Sequence, residues 1–292
     1  MRARRSCLSV PGVSTKMLAK AQGITVDEVV IDLEDSVPVD QKVPARQAVI
    51  AALAAGDWAA PTVGVRINAI DSPWCHRDVI EVIEGAGDTL TSLIVPKVQG
   101  AGDVEFVARL ASLVELETAR ARPVALELLI ETATGLRRVY EAATASARVE
   151  ALIVGYADLA ASLGRPIVVA DDPGAIHWRW VLDTVAVAAR SAGIQAIDGP
   201  HFEIADLDGL RARAQIARTL GFDGKWALHP SQIEVVNQAF SPTQAELDQA
   251  TAILEELKRA EANGARGALL LDGEMIDEAS RKRALGLLAR GG

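Results

Sequence analysis

The stretch Thr62-Val-Gly-Val-Arg-Ile67 is a short apolar run rich in β-branched residues, and a polar loop and a longer stretch of helical periodicity follow it. The same order of features recurs along the chain, which is typical of a repeated strand–helix unit. The runs that fit a strand are residues 5–10, 29–33, 62–67, 92–95, 124–130, 151–154, 194–197 and 225–228. The sequence therefore predicts eight βα units.

The spacing of these runs distinguishes two architectures of alternating strands and helices. Their starts lie 24 to 43 residues apart, and the runs are continuously apolar, as in parallel strands covered on both faces. The glycine-rich phosphate fingerprint of dinucleotide-binding folds is absent from the sequence. We therefore predict an α/β fold of the (β/α)8 TIM-barrel type rather than an open doubly wound sheet. The longest gap contains residues 170–180, which we interpret as an inserted loop.

About fifty residues follow the eighth unit, so we predict a catalytic barrel domain at 1–240 and a small C-terminal lid subdomain at 241–292. The motif Ser241-Pro242-x-Gln244 indicates a capping box at the start of a helix, and Asn263-Gly264 indicates its end. An Asp272-Gly273 turn then predicts a short hairpin, with a last helix behind it.

The composition excludes several classes of function. The 292 residues carry 30 Lys and Arg against 39 Asp and Glu, a net charge of −9, which argues against a nucleic-acid or anionic-membrane surface. Only two cysteines occur, Cys7 and Cys75, as in proteins of a reducing compartment. The basic start lacks the apolar segment of a signal peptide, and no 18-residue apolar run is present. We expect a soluble cytoplasmic protein that binds neither nucleic acid nor a membrane.

Polar side chains stand at the ends of seven predicted strands, where barrel enzymes carry their active sites. Any one of them can be explained as the N-cap of the next helix, but their recurrence at seven ends favours a functional site. They are Asp32, Glu34 and Asp35 after the second strand, then Arg66, Asn68, Lys97, Glu131, Asp158, Asp198 and His229 after the others.

Glu131 and Asp158 end neighbouring strands, whose axes lie about 5 Å apart, so both carboxylates can reach one point above the barrel. Two carboxylates without Cys or His suit Mg²⁺, a hard ion that keeps waters and takes substrate oxygens. The alternative is structural: Asp158 caps the helix of residues 159–163, and Glu131 pairs with Arg137 or Arg138.

Arg66 ends an otherwise apolar strand, and a guanidinium in that setting needs a partner. Glu34, Asp35 or a substrate anion can supply it, since arginine binds carboxylates bidentately. A structural ion pair does not exclude a functional role.

Eight motifs in this order resemble the HpcH/HpaI aldolase and citrate-lyase β-subunit superfamily, and within it the stand-alone acyl-CoA lyases of the malyl-CoA, β-methylmalyl-CoA and citramalyl-CoA type. The motifs are Arg5-Ser-x-Leu-x-x-Pro11-Gly12, Ile31-Asp-Leu-Glu-Asp-Ser-Val37, Lys42-x-x-Ala-Arg46, Val65-Arg-Ile-Asn68, Pro96-Lys-Val98, Leu129-Ile-Glu-Thr132, Gly155-Tyr-Ala-Asp-Leu-Ala-Ala161 and Gly224-Lys-Trp-Ala-Leu-His-Pro230.

The resemblance implies Mg²⁺ at Glu131 and Asp158, with Mn²⁺ able to replace it, and a substrate site formed by these two residues with Arg66 and Ala157. It implies a homotrimer or a dimer of trimers, in which Asp277 closes over a neighbouring subunit's site and moves the proton at the acyl carbon. Asp277 is equally a candidate N-cap for the last helix.

The resemblance also implies that coenzyme A enters across the first βα loop, beside Lys16 and Lys20. Ser14 stands where some relatives carry an arginine. Glu34, Asp35, Lys42 and Arg46 are expected to hold Arg66 and metal-bound waters from behind. No role is predicted for Lys97.

Three activities are consistent with these residues. The first is a Mg²⁺-dependent carbon–carbon lyase that splits a β-hydroxyacyl-CoA into acetyl- or propionyl-CoA and a small 2-oxo acid. The second is a thioesterase that hydrolyses malyl-CoA on the same site. The third is a citrate-lyase β subunit that acts inside a complex on a thioester carried by an acyl-carrier protein.

Overall fold

The computed structural model describes residues 2–167, 176–262 and 267–291. In this part of the chain eight parallel strands form a closed barrel, each paired with the next and the last with the first. The predicted (β/α)8 fold is confirmed. The strands are β1 Ser6–Pro11, β2 Glu28–Asp32, β3 Thr62–Arg66, β4 Ser92–Val95, β5 Ala125–Ile130, β6 Val149–Val154, β7 Gln195–Asp198 and β8 Gly224–Ala227.

Helices cover the outside of the barrel. They are α1 Thr15–Gln22, α2 Lys42–Ala54, α3 Cys75–Gly85, α4 Ala101–Glu117, α5 Ala133–Arg137, α6 Val139–Thr144, α7 Tyr156–Ser162, α8 Arg179–Ala192, α9 Leu207–Thr219 and α10 Ile233–Phe240. Short 3₁₀ turns occupy Val39–Gln41, Gly87–Thr89 and Pro230–Gln232. None of the helices in the described residues has the length and apolar character needed to cross a membrane.

The pattern of α8 shows how one such unit is built. Val181, Leu182 and Val185 recur on one face and are buried, as expected for an amphipathic helix packed on a sheet. The helix ends at Gly193, whose positive φ of 72° is a left-handed conformation that suits glycine. The chain then enters β7 two residues later.

The predicted strands agree with the observed ones to within two residues at either end. The largest difference is at β6, which begins at Val149 because this residue pairs with Leu126 across a register shift. Within the predicted insertion at 170–180, residues 170–175 lie outside the described residues, and the last two residues already belong to α8.

The chain divides into two compact units, Met1–Ala239 and Phe240–Gly292. The second unit contains α11 Gln244–Ala262, the antiparallel strands β9 Leu269–Leu271 and β10 Glu274–Ile276, and α12 Glu278–Gly291. Its core consists of Ala250, Ile253, Leu257, Ile276 and Ala284.

Two sequence predictions for this unit are tested by its loops. The capping box was predicted at Ser241 and Gln244, but the structure forms it at Thr243 and Glu246, so that prediction was wrong by two residues. Each backbone N–H of the pair donates to the other's side chain, at 3.2 Å for Glu246 and 2.7 Å for Thr243. The predicted two-residue turn at Asp272-Gly273 is present, with both residues at positive φ. Asn263-Gly264, the predicted end of α11, lies outside the described residues.

The floor of the barrel, at the amino-terminal ends of the strands, holds a buried group of charges. Arg4 Nε lies 3.4 Å from Glu28 Oε2 and 3.5 Å from Glu127 Oε1, and both carboxyl groups are fully buried. The guanidinium also donates to Glu150 and Gln195 at 2.6 Å each. One cation therefore faces two inaccessible carboxyl groups. Burial and the charge of Glu127 raise the pKa of Glu28 well above its ordinary value of 4.5.

We expect Glu28→Gln to change the free energy of unfolding at pH 7 by no more than about 1 kcal/mol, because a neutral amide replaces a carboxyl whose charged form is disfavoured by burial and by Glu127. A carboxyl whose pKa is raised by folding contributes stability below its unfolded pKa near 4.5, and this contribution is lost as the pH rises through the folded pKa. In urea unfolding, the variant should lose less stability than the parent as the pH rises above about 4.5. Arg4→Met is the contrast, and its expected cost is about 3–5 kcal/mol. Equal costs for the two variants would show that Glu28 is ionised at pH 7.

Candidate active site

A cavity of about 160 Å³ opens at the carboxyl ends of the strands. Its walls bring together Arg66, Glu131, Ala157 and Asp158, the residues predicted to bind substrate and metal. These residues come from β3, the end of β5 and the start of α7, so the closure of the barrel is what places them around one space. Trp226 of β8, which the sequence analysis did not single out, also lines the cavity, with its ring centre 5.8 Å from the Arg66 guanidinium carbon.

Arg66 is held by a carboxylate that the sequence analysis did not name as its partner. Its Nε donates to Asp32 Oδ1 and its second amino group to Asp32 Oδ2, both at 2.7 Å. The two residues are opposite each other in the register of β2 and β3. The predicted partners are present as well, since its other amino group lies 3.0 Å from Glu34 Oε2 and 3.4 Å from Asp35 Oδ2. Burial opposes ionisation of Asp32, but the charge and hydrogen bonds of Arg66 lower its pKa.

The loop after β2 is fixed by Lys42 and by a glycine. Lys42 Nζ donates to the carbonyl oxygens of Leu33 at 2.9 Å and Glu34 at 2.7 Å, so it positions the loop rather than a side chain. The Gly12 N–H donates to the Asp32 carbonyl oxygen at 2.8 Å. A Cβ at Gly12 would lie 2.7 Å from that oxygen, so only glycine permits this close approach.

Arg46 does not contact Arg66, contrary to the prediction that it helps to hold it. The Arg46 guanidinium is buried on α2 and donates to Asp78 Oδ1 at 2.7 Å, with Glu81 at 3.3 Å. Asp78 Oδ2 in turn accepts from the backbone and side-chain N–H groups of Asn68, at 2.8 and 2.6 Å. Arg46 therefore stabilises the loop after β3, because α3 places a carboxylate between the two.

Glu131 is buried at the end of β5. Its Oε1 accepts the backbone N–H of Lys97 at 2.8 Å, and the alternative partners Arg137 and Arg138 do not hold it. Burial and the nearby charge of Glu34 raise the pKa of Glu131 to about 8. A Cβ at Gly155 would lie 2.5 Å from Glu131 Oε2, so the absence of a side chain there leaves room for this carboxylate.

Asp158 belongs to the first turn of α7, and the alternative that it caps a helix starting at Leu159 is wrong. The N-cap position is Gly155, and the side chain of Asp158 is partly exposed towards the cavity. Its closest cation is the ammonium group of Lys97, with Nζ 3.9 Å from Oδ1. Among the described residues no three Asp, Glu, His or Cys side chains form a metal-binding cluster.

A buried group behind the cavity fixes the segment that carries Ala157 and Asp158. Tyr156 donates its hydroxyl to Asp198 Oδ1 at 2.6 Å, and Lys225 Nζ donates to Asp198 Oδ2 and to the Gly199 carbonyl oxygen, both at 2.6 Å. The sequence showed Asp198 at a strand end but did not indicate its partners. The sequence signal that could have indicated this contact is Lys225, because a lysine within an apolar strand needs a buried partner.

The residues predicted to bind coenzyme A lie on the first helix. Ser14 is the N-cap of α1, where its hydroxyl accepts the Met17 N–H at 3.3 Å, so its side chain is already engaged. Lys16 and Lys20 are exposed and one helical turn apart, which places both on one face of α1.

Asp277 caps the last helix in the second unit. Its Oδ1 accepts the backbone N–H groups of Ala279 at 2.9 Å and Ser280 at 3.0 Å. The hydrogen bond from Ser280 lowers the pKa of Asp277, so it is a carboxylate at neutral pH. The N-cap, one of the two roles that the sequence allowed, is therefore observed.

Comparison with known proteins identifies the family of this chain. A family model described as HpcH/HpaI aldolase/citrate lyase matches residues 5–230, which span the barrel from β1 to the loop after β8. The chain belongs to this family.

Family members of known activity match almost the whole chain. An L-malyl-CoA/beta-methylmalyl-CoA lyase from Cereibacter sphaeroides is 37% identical over 296 residues, which cover 97% of this chain and 93% of that protein. A (3S)-malyl-CoA thioesterase from the same species is 34% identical over 276 residues, which cover 94% and 89%.

Solved structures of family members share the fold. CitE from Mycobacterium tuberculosis, in complex with magnesium, acetoacetate and coenzyme A, superposes with a TM-score of 0.79 at 31% identity and full coverage of both chains. A citrate lyase from Burkholderia xenovorans superposes with a TM-score of 0.86 at 25% identity, covering 99% of this chain and 91% of that one.

Proposed function

We propose that this chain is a Mg²⁺-dependent carbon–carbon lyase that cleaves, or in reverse forms, a β-hydroxyacyl-CoA of the malyl-CoA, β-methylmalyl-CoA or citramalyl-CoA type. The products are acetyl- or propionyl-CoA and a small 2-oxo acid. The observation that carries the proposal is the pair of carboxylates, Glu131 and Asp158, at a cavity that also presents Arg66. The similarity to an L-malyl-CoA/beta-methylmalyl-CoA lyase over 97% of the chain supports it.

The residues at this cavity fit a magnesium ion held by Glu131 and Asp158. Both are hard oxygen ligands, and Mg²⁺ is usually bound through one or two carboxylates with waters or substrate oxygens in the other positions. Burial and the charge of Glu34 raise the pKa of Glu131 to about 8, and a cation bound beside it would favour its charged form. When bound, the ion supplies a Lewis acid for the oxygens of the hydroxyl and the neighbouring carboxylate of the substrate.

The chain's own residues account for the other needs of the reaction. Cleavage removes the hydroxyl proton and breaks the Cα–Cβ bond, and the electron pair of that bond passes to the thioester as an enolate, which takes a proton at carbon. The guanidinium of Arg66, held rigidly by Asp32, stabilises negative charge on the reacting oxygens. Ala157 lines the cavity next to Asp158 and limits the space for the 2-oxo acid.

Two other activities are consistent with the same site and with the names of similar proteins. Hydrolysis of malyl-CoA on the same site is the activity named for the 34% identical thioesterase. A citrate-lyase β subunit would act on a thioester of an acyl-carrier protein inside a complex. The lyase is favoured, since the relatives named as lyases are more similar and cover more of the chain.

Further parts of the proposal concern assembly and binding. We infer that the chain forms a homotrimer or a dimer of trimers, in which Lys16 and Lys20 bind the phosphates of coenzyme A. A cytoplasmic location is supported by Cys7 and Cys75, which are both buried and unpaired.

The purified chain is expected to convert malyl-CoA to glyoxylate and acetyl-CoA when Mg²⁺ is added, and to be inactive after chelation. Incubation with malyl-CoA, β-methylmalyl-CoA and citramalyl-CoA, followed by chromatography of CoA esters and 2-oxo acids, identifies the substrate. Free malate and CoA without glyoxylate would instead establish the thioesterase. No reaction with any of the three thioesters would favour the subunit of a complex.

Glu131→Gln and Asp158→Asn are each expected to abolish turnover and to weaken Mn²⁺ binding, because each removes one of two charged ligands. Circular dichroism should show that the fold is intact. Glu84→Gln, on the exposed face of α3, is the matched control for the change from acid to amide. The metal assignment is wrong if both site variants keep the Mg²⁺ dependence of the parent protein.

Asp277→Ser tests whether Asp277 is the acid/base of a neighbouring subunit's site or only a helix cap. Serine caps helices almost as well as aspartate but cannot act as a carboxylate base, so a catalytic role predicts a loss of about 10²–10⁴-fold in kcat. Asp206→Ser makes the same change at the cap of α9 and should leave the rate unchanged.

Subunit mixing then tests whether Asp277 acts in trans. Inactive Asp277→Ser and Arg66→Ala proteins should regain activity when their subunits exchange, because a mixed oligomer can assemble one site from two intact residues. A near-normal rate for Asp277→Ser alone would leave this residue as a cap and nothing more.

A further inference from the structure

Lys97 completes a closed ring of alternating charges with Glu34, Arg66 and Asp35, of which Arg66 and Asp35 line the cavity. Its ammonium group hydrogen-bonds Glu34 Oε1 and lies 3.4 Å from Asp35 Oδ1. The other oxygen of each carboxylate faces Arg66, at 3.0 Å for Glu34 and 3.4 Å for Asp35. Each acid of the ring therefore has one oxygen on Lys97 and the other on Arg66.

Lys97 also touches both proposed metal ligands, which lie outside this ring. Its backbone N–H donates to Glu131 Oε1 at 2.8 Å, and its Nζ is 3.9 Å from Asp158 Oδ1. Lys97 has a φ of +52°, a left-handed conformation that residues other than glycine rarely adopt. In this backbone conformation, the amide of Lys97 donates to Glu131 while its ammonium group donates to Glu34.

Acidic groups outnumber basic groups around the cavity. In the described part of the chain, direct ion contacts at this end of the barrel join four carboxylates to two cations. The carboxylates are Asp32, Glu34, Asp35 and Asp158, and the cations are Arg66 and Lys97. Four acids against two bases leave a formal excess of two negative charges. One divalent cation balances it.

We propose that Lys97 is the positioning residue that reserves Glu131 and Asp158 for the metal and sets its affinity. Its ammonium group occupies Glu34 and Asp35, and Asp32 is held by Arg66, so a divalent cation finds free oxygens on Glu131 and Asp158. The remaining coordination positions then stay open for the substrate. This inference rests on the metal site of the proposed function and assigns a role to a residue that the reaction itself does not require.

If this proposal is correct, removing the charge of Lys97 increases the affinity for the metal, whereas simple damage to the protein would decrease it. A fixed positive charge next to Asp158 repels a divalent cation, so its removal must strengthen metal binding. A unit charge and a divalent ion about 5 Å apart interact, even at the permittivity of water, by roughly the energy of a tenfold change in affinity. The freed Glu34 and Asp35 would then also draw the metal towards themselves and displace its waters.

The experiment is the titration of metal-free protein with Mn²⁺, followed by electron paramagnetic resonance and by water proton relaxation. Lys97→Met should bind Mn²⁺ about tenfold more tightly than the parent, with fewer coordinated waters and weaker binding of glyoxylate to the Mn²⁺-loaded protein. Lys97→Arg keeps the charge and should keep the parent's Mn²⁺ affinity. Lys258→Met, an exposed position on α11, is the control for loss of one positive charge.

The outcomes separate this inference from the proposed function. If the parent binds no Mn²⁺, the metal site itself is wrong. If the parent binds Mn²⁺ and Lys97→Met binds it equally or more weakly, Lys97 is a structural ion-pair partner and the inference is overturned. Should Lys97→Met fail to fold, Lys97→Gln keeps the polar side chain without the charge, and the same tightening of Mn²⁺ binding is expected of it.

Discussion

The bidentate ion pair between Asp32 and Arg66 organises the polar end of this barrel. Strand register places the two residues opposite each other on β2 and β3, and both are buried, so neither charge can be left without the other. The same carboxylate accepts the backbone N–H groups of Glu34 and Ser36, at 2.8 and 3.0 Å. The loop that carries the acidic residues is therefore tied to the strand that carries the guanidinium.

Both ends of the barrel contain more carboxyl groups than cations, and they resolve the excess in different ways. At the floor, Arg4 faces two inaccessible acids, and burial together with the charge of Glu127 raises the pKa of Glu28 well above its ordinary value. At the open end, Glu131 is also raised in pKa, but it lines a cavity that a cation and a substrate can enter. At the closed end, burial favours the protonated form of a carboxyl group. At the open end, a bound cation can neutralise the carboxylate instead.

Much of this arrangement could be predicted from the sequence. Eight apolar runs at regular intervals were enough for the barrel and its strands, because a strand covered on both faces must be apolar throughout. Residues at the carboxyl ends of neighbouring strands must lie close together, which predicted Glu131, Asp158 and Arg66 around one space. Asp32 was missed as the partner of Arg66, since a residue at the end of a strand can point to either face and only the register decides.

The sequence by itself determined the fold, the family and the residue types at the strand ends, because these depend on periodicity and on local order along the chain. The tertiary structure alone decided the charge pairs that the sequence analysis did not predict. Arg46 went to Asp78 on α3 rather than to Arg66, and Lys97 to Glu34 and Asp35, since such contacts join residues over 30 positions apart. Their formation depends on distances and burial that arise only when the barrel closes, and no local pattern encodes them.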